Sequence, residues 1–346
     1  MQWRILIFRL CRSSRDCKRF TAGRGFLPML AGCEVSCVRL ACYSGVDLIN
    51  ETEMERGAMT SGGIDFEAIG ARLRAYRLGA QLRAEQIADV LRISRAAVYR
   101  MEKGEIVKIE TLERLAGILG TSLESLLGAG TEYYPSAIAY IERMRQLEQG
   151  ATRILAHFEP ISFLLTSPSY DGYLEQMLRE GGDNDEGRIQ AMMLLLRERK
   201  ASYMSQPAPI VSLIGLRELE RFVHFGLVGR MDLPPATKME RSLAARSEVE
   251  RIASLLEQQP AGMQIGIVNE SMPNATFQIF ERPTGSYVAI SPFRFGEFPN
   301  ISGGIASVTA APEAVSLYTN MVEALWQRSY KGRDGADLLR RMLQQV

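Results

Sequence analysis

Residues 82–105 read LRAEQIADVLRISRAAVYRMEKGE, and this stretch decides how the rest of the chain is read. Ile87, Ala88 and Leu91 recur at helical spacing, and Ala97, Val98 and Met101 do so again, so two short amphipathic helices follow one another, each with one stripe to bury. Between them Arg92 and Ile93 lead into Ser94, a favoured N-cap whose side-chain oxygen takes an orphan N–H of the second helix. That start leaves Arg95, Ala96, Tyr99, Arg100 and Lys103 on the outer face. A short capped helix, basic outside and braced by a partner helix, has the geometry that enters a DNA major groove.

Ala88 in the first helix, Ile93-Ser94 at the turn, and Val98, Glu102 and Gly104 through the second together resemble the helix-turn-helix of the Cro and lambda-repressor type, the xenobiotic-response-element family of bacterial transcriptional regulators. The resemblance spans Phe66 to Gly128. It implies double-stranded DNA as the partner and a second motif helix docked with Arg95, Ala96 and Arg100 at base edges. An arginine pairs bidentately with guanine, each such contact discriminating by about 1–3 kcal/mol. Ser94, Tyr99, Lys103 and Lys108 are expected at phosphates, where they set register and salt dependence. Glu102 would repel a phosphate and reads as a structural hydrogen-bonding residue. Two positions depart from the family. Arg92 stands where the turn usually has glycine, which costs roughly 1 kcal/mol in a left-handed backbone. Ala84 replaces the usual glutamine opening the first helix, which removes a phosphate contact. An αα-hairpin within an unrelated helical bundle is the other reading of the same pattern. Because one short helix reads few base pairs, a homodimer on two half-sites is expected.

Around the motif, Phe66, Ile69, Leu73 and Tyr76 fall on one side of a preceding helix whose other side bears Arg72, Arg74 and Arg77, and Gly79 ends it. After it, Leu112, Leu115, Ala116 and Leu119 form the stripe of a fourth helix stopped by Gly120. Thr121 to Glu124 reads as a capping box for a fifth helix, with Leu123, Leu126 and Leu127 inward. The fold class that follows is a multidomain α+β protein: an N-terminal five-helix, lambda-repressor-like bundle over 65–128, a connecting helix within 129–150, and a three-layer α/β domain with a mixed sheet over 151–346.

Over 346 residues the net charge is only +1, so no global basic field points to nucleic acid. Between Phe66 and Gly128 there are ten Lys and Arg against eight Asp and Glu, a surplus that suits DNA only if clustered on one face. No run of eighteen apolar residues occurs, so no membrane partner is expected. All five cysteines lie within the first 42 residues, where eight basic residues face three acidic ones over the first fifty. Three readings of residues 1–60 stand. Cys33, Cys37 and Cys42 form a zinc or iron–sulfur site; the cysteines form a disulfide scaffold; or the segment is a disordered extension upstream of the natural start, with Met54 or Met59 as first residue. The cysteine-free body favours the last, with no metal and a cytoplasmic location.

Past Gly130 a helix over Pro135 to Glu148 carries Ile138, Ile141 and Met144 at helical spacing, as a connector or part of a dimer seam. Strand-type runs then appear at 153–158, 210–214, 264–268, 276–280, 287–290 and 305–309. Helical runs appear at 170–179, 186–203, 216–224, 238–258 and 312–326. Turn-rich links such as Pro283 to Ser286 make part of the sheet antiparallel. A strand running into the helix that ends Glu323-Ala-Leu-Trp326 also resembles the noncatalytic phospholipase-D-like domains attached to some regulators. The enzymes of that family need His-x-Lys-x4-Asp. Here His157 is followed at that spacing by Glu159 and His224 by Gly226, so both histidines read as core residues and phosphodiesterase chemistry is not expected.

No metalloprotease, nucleophile-elbow, P-loop or dinucleotide motif occurs, so no catalytic residue and no cofactor is expected. The loop Ser291–Asn300 places Arg294 between Phe293 and Phe295 just after a strand, where α/β sheets bind ligands. Those three residues suit an anionic or planar effector. Their other reading is core phenylalanines with Arg294 paired to Glu297 or capping a helix. The expectation is a sequence-specific DNA-binding regulator with a sensing or dimerising C-terminal domain. An enzyme carrying a DNA-binding module is the second hypothesis, and a bare oligomerisation scaffold the third.

Overall fold

The first described helix opens where Asp65 accepts a hydrogen bond from the Ala68 N–H at 2.9 Å, one of the donors a helix start leaves without a partner. In the computed structural model, the described residues are 65–105, 108–157, 160–181 and 185–346. The cysteine-rich stretch and its readings lie outside them, as does the His157 side chain.

Five helices come first: α1 (Phe66–Gly79), α2 (Ala84–Leu91), α3 (Arg95–Glu102), α4 (Ile109–Leu119) and α5 (Leu123–Leu127). Their stripes meet in one core that includes Ile69, Leu73, Ile87, Val98, Leu115 and Leu126. Arg92 ends α2 in the left-handed conformation at φ 56°, the strained position expected for it. The cap of α5 sits one residue later than the capping box placed it: Ser122, not Thr121, accepts from the Ser125 N–H at 3.0 Å.

The chain continues into β1 (Thr131–Tyr134), α6 (Ala137–Glu148), β2 (Arg153–His157), a 3-10 turn at Phe163–Leu165, α7 (Tyr170–Glu180) and α8 (Glu186–Ser205). Then come β3 (Ile210–Gly215), α9 (Leu216–Phe225), α10 (Pro235–Gln258), β4 (Met263–Val268), β5 (Thr276–Glu281), β6 (Tyr287–Ser291), β7 (Ala306–Thr309), α11 (Pro312–Arg328) and α12 (Gly332–Gln345). The seven strands form one mixed sheet in the order β1-β7-β6-β5-β2-β3-β4, with β2, β3 and β4 parallel and the remaining pairings antiparallel. Parallel neighbours need long crossovers, which α7–α8 and α9–α10 provide. All six residues of β3 are buried, as a strand covered on both faces requires. One face of the sheet packs α6 and the cluster built from α7–α10 and α12. The buried cluster on the other holds one described helix, α11. No helix among the described residues is long and apolar enough to cross a membrane.

The segment 129–150, expected as a connecting helix, does more than connect. It opens with β1, an edge strand paired to β7, and α6 is buried nearly all round, Tyr140, Glu142, Arg143 and Leu147 included. One side of α6 meets α1, where a Cβ on Gly79 would lie 2.5 Å from that of Ala139. Its other side meets α8, where the buried Arg199 makes a bidentate pair with Glu148. The helical bundle and the sheet therefore share a core, and Ile64–Val346 forms one compact unit.

The arginines of α1, expected on its outer side, correct the sequence reading: Arg72 and Arg77 are buried and Arg74 pairs with Glu142 at 3.1 Å. Arg72 donates to the carbonyls of Leu126 and Leu127 at the end of α5, at 2.8 and 2.7 Å, where the helix dipole favours a cation. It also reaches Glu132 of β1 at 3.5 Å, and Arg143 of α6 grips the same carboxylate through two hydrogen bonds of 2.8 Å. The Tyr134 hydroxyl donates to Glu132 at 2.6 Å, and the Tyr134 ring stacks on Tyr76 with centroids 4.8 Å apart. Burial alone would weaken the charge on Arg143, but Glu132 outweighs it and holds the guanidinium firmly protonated.

Candidate nucleic-acid interface and effector pocket

Ser94 caps α3 as its sequence predicts, its hydroxyl oxygen accepting from the Ala97 N–H at 3.1 Å. Val98 and Met101 point into the core, with Ala97 only half-buried beside them. Arg95, Ala96, Tyr99, Arg100, Lys103 and Lys108 are all exposed, so every residue expected at DNA lies on solvent-facing surface.

Two devices set the angle of α3. Arg77 of α1 grips Glu102 through both carboxylate oxygens and also donates to the Leu82 carbonyl at 3.0 Å. Glu102 is therefore a buried structural partner and is not aimed at solvent. Backbone contact is the second device. A Cβ on Gly70 would sit 2.6 Å from the carbonyl oxygens of Met101 and Glu102, so α1 and the end of α3 touch directly. Gly104 then leaves the helix at φ 90°, with a Cβ there only 2.8 Å from the backbone of Glu67, so both conformation and space demand glycine.

The outer face carries cations that are held only lightly. Arg95 pairs with Glu85 of α2 at 3.0 Å and lies over the Tyr99 ring at 5.4 Å, while Arg100 pairs with Glu105 at 3.1 Å. Such exposed pairs contribute about 0–1 kcal/mol, so both guanidiniums are free to exchange their partners for phosphate or base acceptors.

The second candidate site lies at the end of the sheet where β5 begins and β6 ends. Phe293, Arg294 and Phe295, the three residues expected around an effector, line one cavity together with Tyr140 and Ile141 of α6, Tyr170 of α7 and Arg199 of α8. The alternative reading set Arg294 against Glu297 or at a helix cap. Its guanidinium donates to the Asn274 carbonyl, and Glu297 is held by Arg221 instead. Inside, Thr276 donates to the Ser291 carbonyl at 2.8 Å, and the Ser291 hydroxyl oxygen accepts from the Phe293 N–H at 3.0 Å. Burial pushes the Tyr140 and Tyr170 phenols far above their ordinary range, so both remain neutral hydroxyls. The cavity measures about 70 Å³. That is room for a carboxylate-sized group, where drug-sized pockets run to roughly 300–1,000 Å³.

A larger groove of about 500 Å³ runs between the end of α1 and the start of α8, past Leu78, Leu82, Ile138 and Leu195, and no local sequence pattern announces it. Two of its cations are already committed, Arg77 to Glu102 and Arg74 to Glu142. His224 stands exposed against the Phe225 ring, where the sequence reading placed it in the core, because it falls on the outer side of α9 while Phe222 and Val223 turn inward. Among the described residues no cluster of three or more His, Cys, Asp or Glu is placed to hold a metal ion.

No curated protein matches the chain. Among solved structures it is similar to the phospholipase D family member Nuc from Salmonella typhimurium, at 13% identity over 59% of this chain and 96% of that one, with a TM-score of 0.30. It is also similar to TrmBL2, an archaeal chromatin protein whose structure shows a novel mode of DNA binding, at 11% identity over 71% of this chain and 66% of that one, again with a TM-score of 0.30. Likenesses at that score say nothing further about this chain. The family described as a helix-turn-helix domain matches residues 68–127, the whole of the bundle around α3, and the chain thus carries a helix-turn-helix DNA-binding domain.

Proposed function

We propose that the chain is a sequence-specific transcriptional regulator of the Cro and lambda-repressor type, which binds DNA as a homodimer through residues 65–128 and uses residues 151–346 to sense a small effector, to dimerise, or both. The observation that carries this reading is α3 itself: a capped helix inside the matched domain, braced from behind by Arg77 and Gly70, with its cations outward. In this reading Arg95, Ala96 and Arg100 meet base edges in the major groove, and Ser94, Tyr99, Lys103 and Lys108 meet phosphates. Two copies place two such helices on half-sites about one helical turn apart.

Selection of bound DNA from a random pool, run on the natural chain and on Arg95→Ala and Arg100→Ala, tests it. Each substitution is expected to weaken specific binding by about 1–3 kcal/mol and to relax preference at one base pair. Lys103→Ala should weaken all sequences alike and lower the salt slope by about 1. Sequence preference unchanged in both arginine variants would refute the assignment.

For the effector, the convergence of Phe293, Arg294 and Phe295 on one cavity supports an anionic or planar ligand. The cavity size implies that only a head group enters, or that the 292–300 loop yields to admit more.

A further inference from the structure

Helix α11 is apolar over a wider sector than the sheet covers. Val322 and Leu325 are buried, and Val315, Tyr318 and Trp326 pack partly against the strands. Beside them Leu317 and Met321 stand 60% and 39% exposed, with Ala324 open to solvent on the same flank. No residue from Ala314 to Val322 carries a charge. Met239 and Leu243 on α10 are exposed at the same spacing, but they lie among Lys238, Glu240 and Arg246. An uncharged apolar stripe on a helix flank marks an interface more than a solvated surface.

The order of side chains along the stripe identifies the occupant. Ala314, Leu317, Met321 and Ala324 follow one another at intervals of three, four and three residues, small, large, large, small, so the stripe reads the same in both directions. Antiparallel pairing with an identical helix, about a two-fold axis at the level of residue 319, sets each Leu317 against the other copy's Met321 and each Ala314 against its Ala324. The alanines let the ends approach while the long side chains fill the middle. An isologous interface requires this kind of self-complementarity. The charges agree with it, since Glu313 borders one end of the stripe and Arg328 the other, and antiparallel pairing brings the acid of each copy towards the base of its mate.

We propose that α11 is the seam of the homodimer, packed against α11 of a second copy of this chain. The inference rests on the homodimer reading above, and the test separates the two. Light scattering on the full chain is compared with Leu317→Glu and Met321→Glu, whose exposed positions leave folding, checked by circular dichroism, unchanged. The natural chain is expected at twice its 38.6 kDa mass and each variant at 38.6 kDa. A chain carrying Leu317→Glu and Met321→Glu, mixed with one carrying Leu317→Lys and Met321→Lys, is expected to recover the double mass. A natural chain that stays monomeric overturns the homodimer reading itself. A dimer that survives both single substitutions overturns α11 as its seam and leaves that reading standing. Monomeric variants that fail to recombine on mixing overturn the antiparallel pairing.

Discussion

Replacing Glu132 by glutamine should cost the fold about 3–5 kcal/mol, the usual loss when one partner of a buried ion pair is removed. The size follows from what is left behind. Glu132 is the only acid between two buried arginines in the described network, and it accepts four hydrogen bonds, two of them from Arg143. Arg72 keeps the Leu126 and Leu127 carbonyls, so its loss is partial. Arg143 keeps Gln146 at 3.5 Å and the Tyr287 ring at 5.9 Å, so nearly the whole penalty falls on one guanidinium at 2% exposure. Against a total stability of about 5–15 kcal/mol this is a large fraction, and a melting shift on the order of 10 °C should accompany it. Urea unfolding followed by circular dichroism measures the loss. Replacing the pair by apolar groups, Glu132→Leu with Arg143→Met, should cost less than Glu132→Gln alone, because the Arg143 charge is then no longer stranded and Arg72 still donates to the Leu126 and Leu127 carbonyls. A loss below about 1 kcal/mol for Glu132→Gln, or a double variant that is the worse of the two, would refute the reasoning.

Three further outcomes are expected. Arg92→Gly should stabilise the chain by about 1 kcal/mol in urea, since glycine adopts the left-handed backbone without penalty, and a destabilised variant would show that the arginine side chain contributes more than the strain it causes. Burial alone would raise the Glu142 carboxyl, but hydrogen bonds from Arg145 and Gln146 and the charge of Arg74 outweigh it and hold it below its ordinary value. Its stabilising contribution is therefore complete above the unfolded glutamate value of roughly 4.3 and is lost as pH falls through the lower folded value; Glu142→Gln should flatten that acid limb, and an unchanged limb would count against it. Thermal-shift screening of anionic and aromatic metabolites should find a ligand whose stabilisation is lost in Arg294→Ala, whereas equal binding by the variant would make the loop core packing.

The six strands expected after Gly130 are all present, and so are the five helices between and beyond them, because apolar runs bounded by turn residues carry their own address. What escaped is what depends on partners distant in sequence. Strand β1 is four residues with an acid in the middle, and nothing local says that Glu132 faces inward; its arginine on α1 is 60 positions away. Arg72 and Arg77 look like the solvent side of an amphipathic helix until the end of α5 takes up the first and Glu102 of α3 the second. Helix α12 was not among the expected helices, although Ala336, Leu339 and Leu343 fall at helical spacing. The exposed basic face of α3 and the Phe293–Phe295 cluster were legible because each lies within a few residues of sequence. The groove between α1 and α8 was not, because its walls come from helices more than a hundred residues apart.

The absence of a flexible connector changes how a ligand would act on DNA in the proposed regulator. Where a reading domain hangs on a flexible linker, an effector can influence it only through the oligomeric state or by releasing the domain. Here α6 is a wall of the cavity lined by Phe293, Arg294 and Phe295, through Tyr140 and Ile141, and at the same time the partner of α1 through Ala139 against Gly79, Glu142 to Arg74, and Gln146 to the Ala71 carbonyl at 2.9 Å. Between the cavity and the bundle lies one rigid helix with side chains packed on both sides, and packed interfaces of this kind shift between discrete arrangements and do not deform smoothly. A ligand that favours one seating of α6 over another would thus tilt α1, and through Arg77 and Glu102 it would tilt α3. Coupling of this sort is typically worth about 1–3 kcal/mol, and it acts only to the extent that the ligand distinguishes the two seatings. In a dimer joined through α11, on the sheet face away from α6, such a tilt would change the distance between the two reading helices without disturbing the seam that holds them together.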